Sequence, residues 1–204
     1  MRLFLIRHGE SEAGRNKIIS GQSDVSLTRL GKAQATALGQ NFLEGGTKFD
    51  VVYSSDITRA SQTSAIICDK LGINDIIFDK RLREQDAGVF TGRKVSSLSK
   101  EEKDFLDNTM MDLDLRIPGG ETNKEMTFRI NEAFHEIIAN NPEEVTILLV
   151  AHGGTLYHIL VRILGLLPSK MVGWFGNCTK NVLERKSHGD SWHITMFNNK
   201  IFYR

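Results

Sequence analysis

The sequence LFLIRHGES occupies residues 3–11. Its first four residues are apolar, too few for a helix of ordinary length, and a charged turn follows them at once, which is typical of a buried strand in a parallel sheet. Arg7 and His8 then lie at the carboxyl end of that strand. Ligands of open α/β sheets bind in the crevice beyond the strand ends, so this segment presents a cation and a candidate nucleophile to one small site.

The composition narrows the classes of partner. The chain has 204 residues, with 26 Lys plus Arg against 25 Asp plus Glu and a net charge of +1. This length fits one domain, which we expect to span residues 1–204. The charge balance favours neither nucleic acid nor a membrane surface as partner, and the lack of a long apolar run predicts a cytoplasmic protein.

Strand and helix patterns alternate along most of the chain. Strands are predicted at residues 50–54, 75–78 and 145–151, and helices at 28–44, 56–71, 99–110, 130–140 and 154–168; residues 12–26 are predicted to be a loop. The tail alternates like antiparallel strands near residues 182–186, 191–197 and 201–203. The pattern predicts an α/β fold with three layers, α/β/α, and a mostly parallel central sheet.

Residues 91–117 interrupt this alternation with a charged helix, and we interpret them as a small lid insert over the crevice. Two selectivities stay open for the lid and the loop before the first helix. Their cations can select a second acidic group on a substrate: Arg15, Lys17, Arg93, Lys94, Lys100, Lys103 and Arg116. Alternatively, Phe105, Met110 and Met111 can cover an apolar part of it.

Further polar side chains follow the other predicted strands. Arg59 lies in the first turn of a helix, His152 follows the central strand, and Glu84 arrives from a loop. Two arginines can bind a phosphate dianion with forked hydrogen bonds, a geometry that lysine does not match. Positive neighbours also disfavour the imidazolium form, so a histidine among them stays neutral and nucleophilic.

These groups suit phosphoryl transfer. In-line attack by a ring nitrogen of His8 would give a phosphohistidine, while Glu84 would protonate the leaving alkoxide and then activate water. His152 would bind the equatorial oxygens as charge develops. A metal hydrolase built on both histidines and a carboxylate is an alternative, although Arg7 and Arg59 would repel a cation.

The motifs together resemble the histidine phosphatase superfamily, in the branch that includes the cofactor-dependent phosphoglycerate mutases. The matching segments are Leu5 to Ser11, Ser20-Gly21, Asp24 with Leu27-Thr28 and Gly31, Ser54 to Asp56 with Arg59-Ala60 and Gln62-Thr63, Leu82 to Glu84, Pro118 to Glu121, and Val150 to Gly154. The resemblance covers about residues 1–168 and continues weakly to residue 198.

The resemblance implies a role for each site residue. His8 would be the phosphorylated nucleophile and Glu84 the acid and base, and the phosphate pocket would comprise Arg7, Arg59, His152, Ser20, Gly21 and Gly153. The chain departs from the family pattern at Gly14, where an asparagine is usual. Either Asn16 takes that place in the pocket or the contact is missing.

The resemblance leaves more than one function open. The compact chain favours a metal-independent phosphomonoesterase acting on a small phosphorylated metabolite, with no cofactor, over a phosphoglycerate mutase, which generally has a longer lid and tail. A catalytically inactive regulatory relative is a third reading, disfavoured by the complete set of site residues. A homodimer is compatible with the sequence but not required by it. We expect the other histidines to be surface or packing residues: His135, His158, His188 and His193.

Overall fold

A computed structural model of the chain describes residues 1–166, 175–187 and 189–200. Its centre is a six-stranded sheet in the order β3-β2-β4-β1-β5-β6. The strands are β1 (Arg2–Arg7), β2 (Val51–Ser54), β3 (Ile77–Phe78), β4 (Thr146–Ala151), β5 (Lys180–Glu184) and β6 (His193–Asn199). Strands β1 to β4 run parallel, so the carboxyl ends of β1, β2 and β4 lie along one edge. Strand β5 pairs antiparallel with β1, and β6 pairs antiparallel with β5.

Helices connect the strands. They are α1 (Glu12–Arg15), α2 (Arg29–Glu44), α3 (Thr58–Leu71), α4 (Lys100–Met111), α5 (Asn123–Ala139) and α6 (Gly153–Tyr157), which continues as a π-helical turn over His158–Ile163. The Thr28 side chain caps α2 by accepting from Gly31 N, while Ser99 and Thr122 form capping boxes at α4 and α5. These side chains satisfy backbone N–H groups that a helix start leaves without partners.

The two faces of β1 feed two separate cores. Leu3 and Leu5 pack with the apolar face of α5, and Phe4 and Ile6 pack with residues of α2 and α3. Both sides of the strand are therefore buried, as a continuous apolar run requires in a parallel sheet. The structure confirms the predicted three-layer α/β/α fold with a mostly parallel sheet.

A small apolar cluster joins residues 91–117, the predicted lid insert, to neighbouring loops. Phe90, Leu98 and Ile117 are buried in it, and Phe105 and Leu106 of α4 pack against them. This cluster joins α4 to the loops on either side of it. No helix in the described part of the chain is long and apolar enough to cross a membrane.

Two local predictions differ from the structure, and two others fall outside the residues that it describes. The segment predicted as a loop contains α1, whose four residues are too few to show a helical period. The N-cap of α3 is Ile57 rather than Ser55 or Asp56, because the Asp56 carboxylate pairs with Arg83 instead, at 2.7 Å. The predicted helix end at Pro168 and the strand at residues 201–203 lie outside the described residues.

Candidate active site

His8 lies directly after β1 and is 5% exposed. Its Nδ1 lies 2.7 Å from the carbonyl oxygen of Gly9. A carbonyl oxygen only accepts, so this contact assigns the proton to Nδ1 and leaves Nε2 unprotonated. Burial, followed by the positive charges of Arg59 and Arg7, lowers the pKa of His8 well below 6.5. The imidazole is therefore neutral, with a lone pair on Nε2, as a nucleophile requires.

Arg59 holds this ring from the first turn of α3. Its Nε donates to His8 Nε2 at 3.2 Å, and its two terminal nitrogens donate to the carbonyl oxygens of Ser23 and Gly21 at 3.0 and 2.8 Å. A guanidinium has five N–H groups, so two remain for a ligand. Burial is the main cause that lowers the Arg59 pKa to about 10, which leaves the group charged at neutral pH.

Arg7 and His152 carry the other polar atoms at this edge. Arg7 Nη1 donates to the Phe175 carbonyl oxygen at 2.6 Å, and His152 Nε2 lies 2.8 Å from Ser55 Oγ. Arg7 Nε and His152 Nδ1 are buried and have no hydrogen-bond partner among the described residues. Buried donors of this kind are costly unless a ligand pairs with them. Both atoms therefore suit an anion bound between the two strand ends.

His152 sits close to His8, with ring centroids 5.2 Å apart. Burial is the first cause that lowers its pKa well below 6.5, and the positive charge of Arg59 is the second. A neutral His152 whose Nε2 accepts from the Ser55 hydroxyl keeps its proton on Nδ1. It can then donate to a phosphoryl oxygen without adding a charge.

Glu84 reaches the site from the loop after β3. Its carboxylate accepts from Gly154 N at 3.2 Å and from Gln85 N at 3.0 Å. A Cβ atom on Gly154 would lie only 2.2 Å from Glu84 Oε1, so this approach requires glycine. Asp86, the competing carboxylate two residues on, accepts from Gly88 N at 3.0 Å and stabilises a turn. The structure thus places Glu84 rather than Asp86 against the cavity.

Arg129 of α5 clamps the loop that carries Glu84. It donates to the carbonyl oxygens of Arg81, Arg83 and Glu84 at 2.7, 2.8 and 3.0 Å, and pairs with Glu121 at 2.5 Å. The sequence motifs did not predict a role for Arg129. The available signal was its spacing, because position 129 lies three residues after the buried Met126 and belongs to the buried face of α5.

The Arg129→Gln substitution is expected to loosen this loop. Activity should fall about 10²-fold on esters with poor leaving groups, because a displacement of about 1 Å at a catalytic group has effects of that size. The free energy of unfolding should fall by about 3 kcal/mol, since Glu121 loses its buried partner. Steady-state kinetics and urea unfolding measure the two effects. Arg29→Gln, an exposed position on α2, is the control and should change neither.

A cavity of about 340 Å³ opens above these groups. Of the residues predicted to form the site, Arg7, Ser20, Gly21, Glu84 and Gly153 line it. His8, Arg59 and His152 are buried and do not line it, but each is next in sequence or hydrogen-bonded to a residue of this site: His8 follows Arg7, His152 precedes Gly153, and Arg59 donates to the Gly21 carbonyl oxygen. Sequence reasoning missed several of the cavity's other lining residues: Ile18, Ile19, Gln85, Ala87, Asn123, Met126, Gly154 and Tyr157. They come from loops and helix ends that share no periodic pattern.

Two predicted positions behave differently from the rest. Asn16 is exposed and caps the end of α1, where its Nδ2 donates to the Glu12 carbonyl oxygen at 2.8 Å. The structure therefore does not bring Asn16 into the site, because its side chain is bound to its own helix. The sequence predicted a loop here and not this helical turn. His158 is buried, within hydrogen-bond distance of Thr127 Oγ1, and it also lines the cavity.

The three buried histidines make stability depend on pH. Burial lowers the pKa of His8 and His152 well below 6.5 and that of His158 to about 4. Below about pH 6.5 the unfolded chain binds protons that the folded chain does not, so the free energy of unfolding decreases as pH falls. For His158 this loss is on the order of 1 kcal/mol per pH unit between pH 6 and 5.

Urea unfolding at pH 7, 6 and 5 measures this dependence. His158→Gln should reduce the decrease in stability between pH 6 and 5 by up to about 1.4 kcal/mol. His135→Gln, at an exposed position of α5, should leave it unchanged. Equal pH dependence in the wild-type chain and the His158 variant would contradict a neutral buried His158.

Comparison with known proteins agrees with this geometry. Residues 3–200 match the model of the histidine phosphatase superfamily, branch 1. A probable phosphoglycerate mutase from Salmonella paratyphi C is 37% identical over 170 residues, which cover 81% of this chain and 76% of that protein.

Solved structures extend the likeness to nearly the whole chain. A mycobacterial glucosyl-3-phosphoglycerate phosphatase bound to VO3 superposes with a TM-score of 0.82 and 27% identity, covering 98% of this chain and 99% of that one. A phosphoserine phosphatase from Entamoeba histolytica has a TM-score of 0.78 and 25% identity, covering 97% and 96%. The chain belongs to the histidine phosphatase superfamily and is an enzyme of the histidine phosphatase type.

Proposed function

We propose that the chain is a metal-independent phosphomonoesterase that hydrolyses a small phosphorylated metabolite through a phosphohistidine on His8. The observation that carries the proposal is the state of His8. Its ring is neutral, its Nδ1 is bound to the Gly9 carbonyl oxygen, and its Nε2 lies among charged and neutral donors that fit a phosphoryl group. We also propose that residues 1–204 act as one catalytic domain with its lid at residues 91–117.

Each group has a defined task in this reaction. Arg7, the two spare N–H groups of Arg59, and His152 bind the phosphoryl oxygens, and they stabilise the charge that builds up on them in the transition state. His8 Nε2 attacks phosphorus in line while Glu84 gives its proton to the leaving oxygen. Glu84, now a carboxylate, takes a proton from water, which attacks the phosphohistidine and releases phosphate.

The electrostatics favour this chemistry over a metal site. Arg59 is buried and Arg7 is half-buried beside the two histidines, and each lowers the pKa of His8 by charge repulsion. The same repulsion disfavours a divalent cation at these ring nitrogens. Among the described residues, no group of three or more histidine, cysteine, aspartate and glutamate side chains could hold a metal ion.

A phosphoglycerate mutase is the second candidate, favoured by the name of the Salmonella relative. The two activities share the covalent step and differ in what accepts the phosphoryl group. Water accepts it in a phosphatase, and a second hydroxyl of the bound sugar acid accepts it in a mutase, which must exclude water.

The deciding experiment measures phosphate release from a panel of phosphorylated metabolites, with chelator present, and follows isomerisation of 3-phosphoglycerate with the bisphosphate primer added. We expect release from one or a few esters, insensitive to the chelator. Isomerisation with little release would establish the mutase instead. Activity that disappears with the chelator and returns with a divalent metal would overturn the metal-independent mechanism.

A further inference from the structure

Six apolar or aromatic side chains line the cavity beside its polar groups, and we call them the apolar wall. Ile18, Ile19 and Ala87 line the cavity from the loop side, and Met110, Met126 and Tyr157 from the helices α4, α5 and α6. A substrate whose phosphoryl group lies against Arg7 and Gly153 would direct its leaving group toward this wall. In the proposed reaction, the leaving alcohol would therefore contact this wall.

The polar groups on this side carry no positive charge. His158 is neutral, because burial is the main cause that lowers its pKa to about 4. Asn123 uses its Nδ2 to donate to the Thr109 carbonyl oxygen at 2.7 Å. Of the described residues that line the cavity, Arg7 alone has a side chain that is positive at neutral pH, and Glu84 can supply a negative one.

The cations of the lid are directed elsewhere. Arg93 pairs with Glu102 at 2.6 Å, and Arg116 pairs with Glu125. Neither arginine lines the cavity. The sequence left open whether the lid selects an acidic or an apolar substrate portion, and these contacts favour the apolar one.

Arg162 lies outside the cavity and supports its wall. Its Nη2 donates to the Met110 carbonyl oxygen at 2.9 Å, and its guanidinium lies 5.7 Å from the centroid of the Tyr157 ring. It thus links two residues of the wall. A cation committed to these contacts stabilises the wall rather than binding a substrate anion.

We propose that the enzyme selects phosphate monoesters whose leaving group is uncharged and mainly apolar, and that it discriminates against leaving groups that carry a carboxylate. This inference rests on the proposed phosphatase function. A second anion bound here would be desolvated against apolar side chains, with no cation facing it from the described wall. An alkyl or aryl group would instead be stabilised, because its apolar surface is buried against the wall.

A matched pair of substrates tests the selectivity. Pentyl phosphate and 5-phosphooxypentanoate have the same chain length and similar leaving oxygens, and they differ in the terminal carboxylate. We expect kcat/KM to be at least about tenfold higher for the pentyl ester. An equal or higher value for the carboxylate ester would overturn the inference and leave the phosphatase function intact.

Two neighbouring methionines provide a matched pair of variants. Met110 lines the cavity, whereas Met111 is 87% exposed. The Met110→Lys substitution places an ammonium group at the wall, so it should raise kcat/KM for the carboxylate ester about tenfold relative to the pentyl ester. Met111→Lys adds the same charge on the surface and should leave the ratio unchanged. If the ratio of kcat/KM between the two esters were the same in both variants, the proposal that this wall sets the selectivity would be wrong.

Binding without turnover separates the two proposals. Calorimetry with pentylphosphonate and 5-phosphonopentanoate reports the preference even if neither ester is hydrolysed. Tighter binding of pentylphosphonate together with no phosphate release would support the selectivity and overturn the phosphatase function. Absence of binding by either phosphonate would overturn both.

Discussion

Substitution of His8 by alanine is expected to reduce phosphatase activity by at least about 10⁴-fold, because it removes the group that accepts the phosphoryl group from the substrate. The two other buried imidazoles of the described site are oriented by polar partners: His152 Nε2 lies 2.8 Å from Ser55 Oγ, and His158 lies between Thr127 Oγ1 and Asn123 Oδ1. The remaining phosphate groups should still bind inorganic phosphate.

The covalent intermediate provides a direct measurement. A brief reaction with labelled substrate, stopped with alkaline denaturant, should leave label on the wild-type chain and none on His8→Ala. His135→Ala removes an exposed histidine with a carbonyl contact on its own helix, and it should keep both the label and the activity. Near-normal turnover by a folded His8→Ala variant, with an unchanged melting temperature, would show that the covalent mechanism is wrong.

Substitution of Glu84 by glutamine is expected to have the second largest effect, and the effect should depend on the leaving group. Alkyl phosphates should lose about 10² to 10⁴-fold in kcat, because their alkoxide needs a proton as the bond breaks. Activated aryl phosphates leave without that proton and should lose much less in the first step. The amide keeps an oxygen that can accept from Gly154 N.

Burst kinetics distinguish the two halves of this role. The activated ester should give a burst of phenolate and slow phosphate release, since the second step still needs a base for water. Asp86→Asn is the matched control, because the amide keeps an acceptor for Gly88 N while removing a carboxylate from the same loop. Equal losses for alkyl and aryl esters would remove Glu84 from the acid role.

Local patterns predicted the fold because its elements are strongly periodic. The apolar run of β1 requires cover on both faces, and the helices predicted at residues 28–44 and 99–110 are present as α2 and α4, capped by the side chains of Thr28 and Ser99. A parallel sheet also brings the carboxyl ends of its strands to one edge, so the sequence predicted that Arg7, His8 and His152 would lie close together. The fourth polar group, Arg59, followed from its place in the first turn of α3.

The tertiary structure decided what depends on the direction of a loop side chain or on a partner distant in sequence. Residue type alone did not predict that Asn16 bonds to its own helix or that Arg129 holds the Glu84 loop from α5. Which ring nitrogen of His8 carries the proton depends on the Gly9 carbonyl oxygen at Nδ1 and on the guanidinium of Arg59, 51 residues away, at Nε2.

The lid illustrates the same division. Its sequence holds both cations and apolar side chains, and only the folded chain separates Met110, at the cavity, from Arg93, paired with Glu102. Periodicity reports which face of an element is buried, because burial repeats along the chain. It does not report which atoms meet across a cavity, because those contacts are set by the packing of elements that are far apart in sequence.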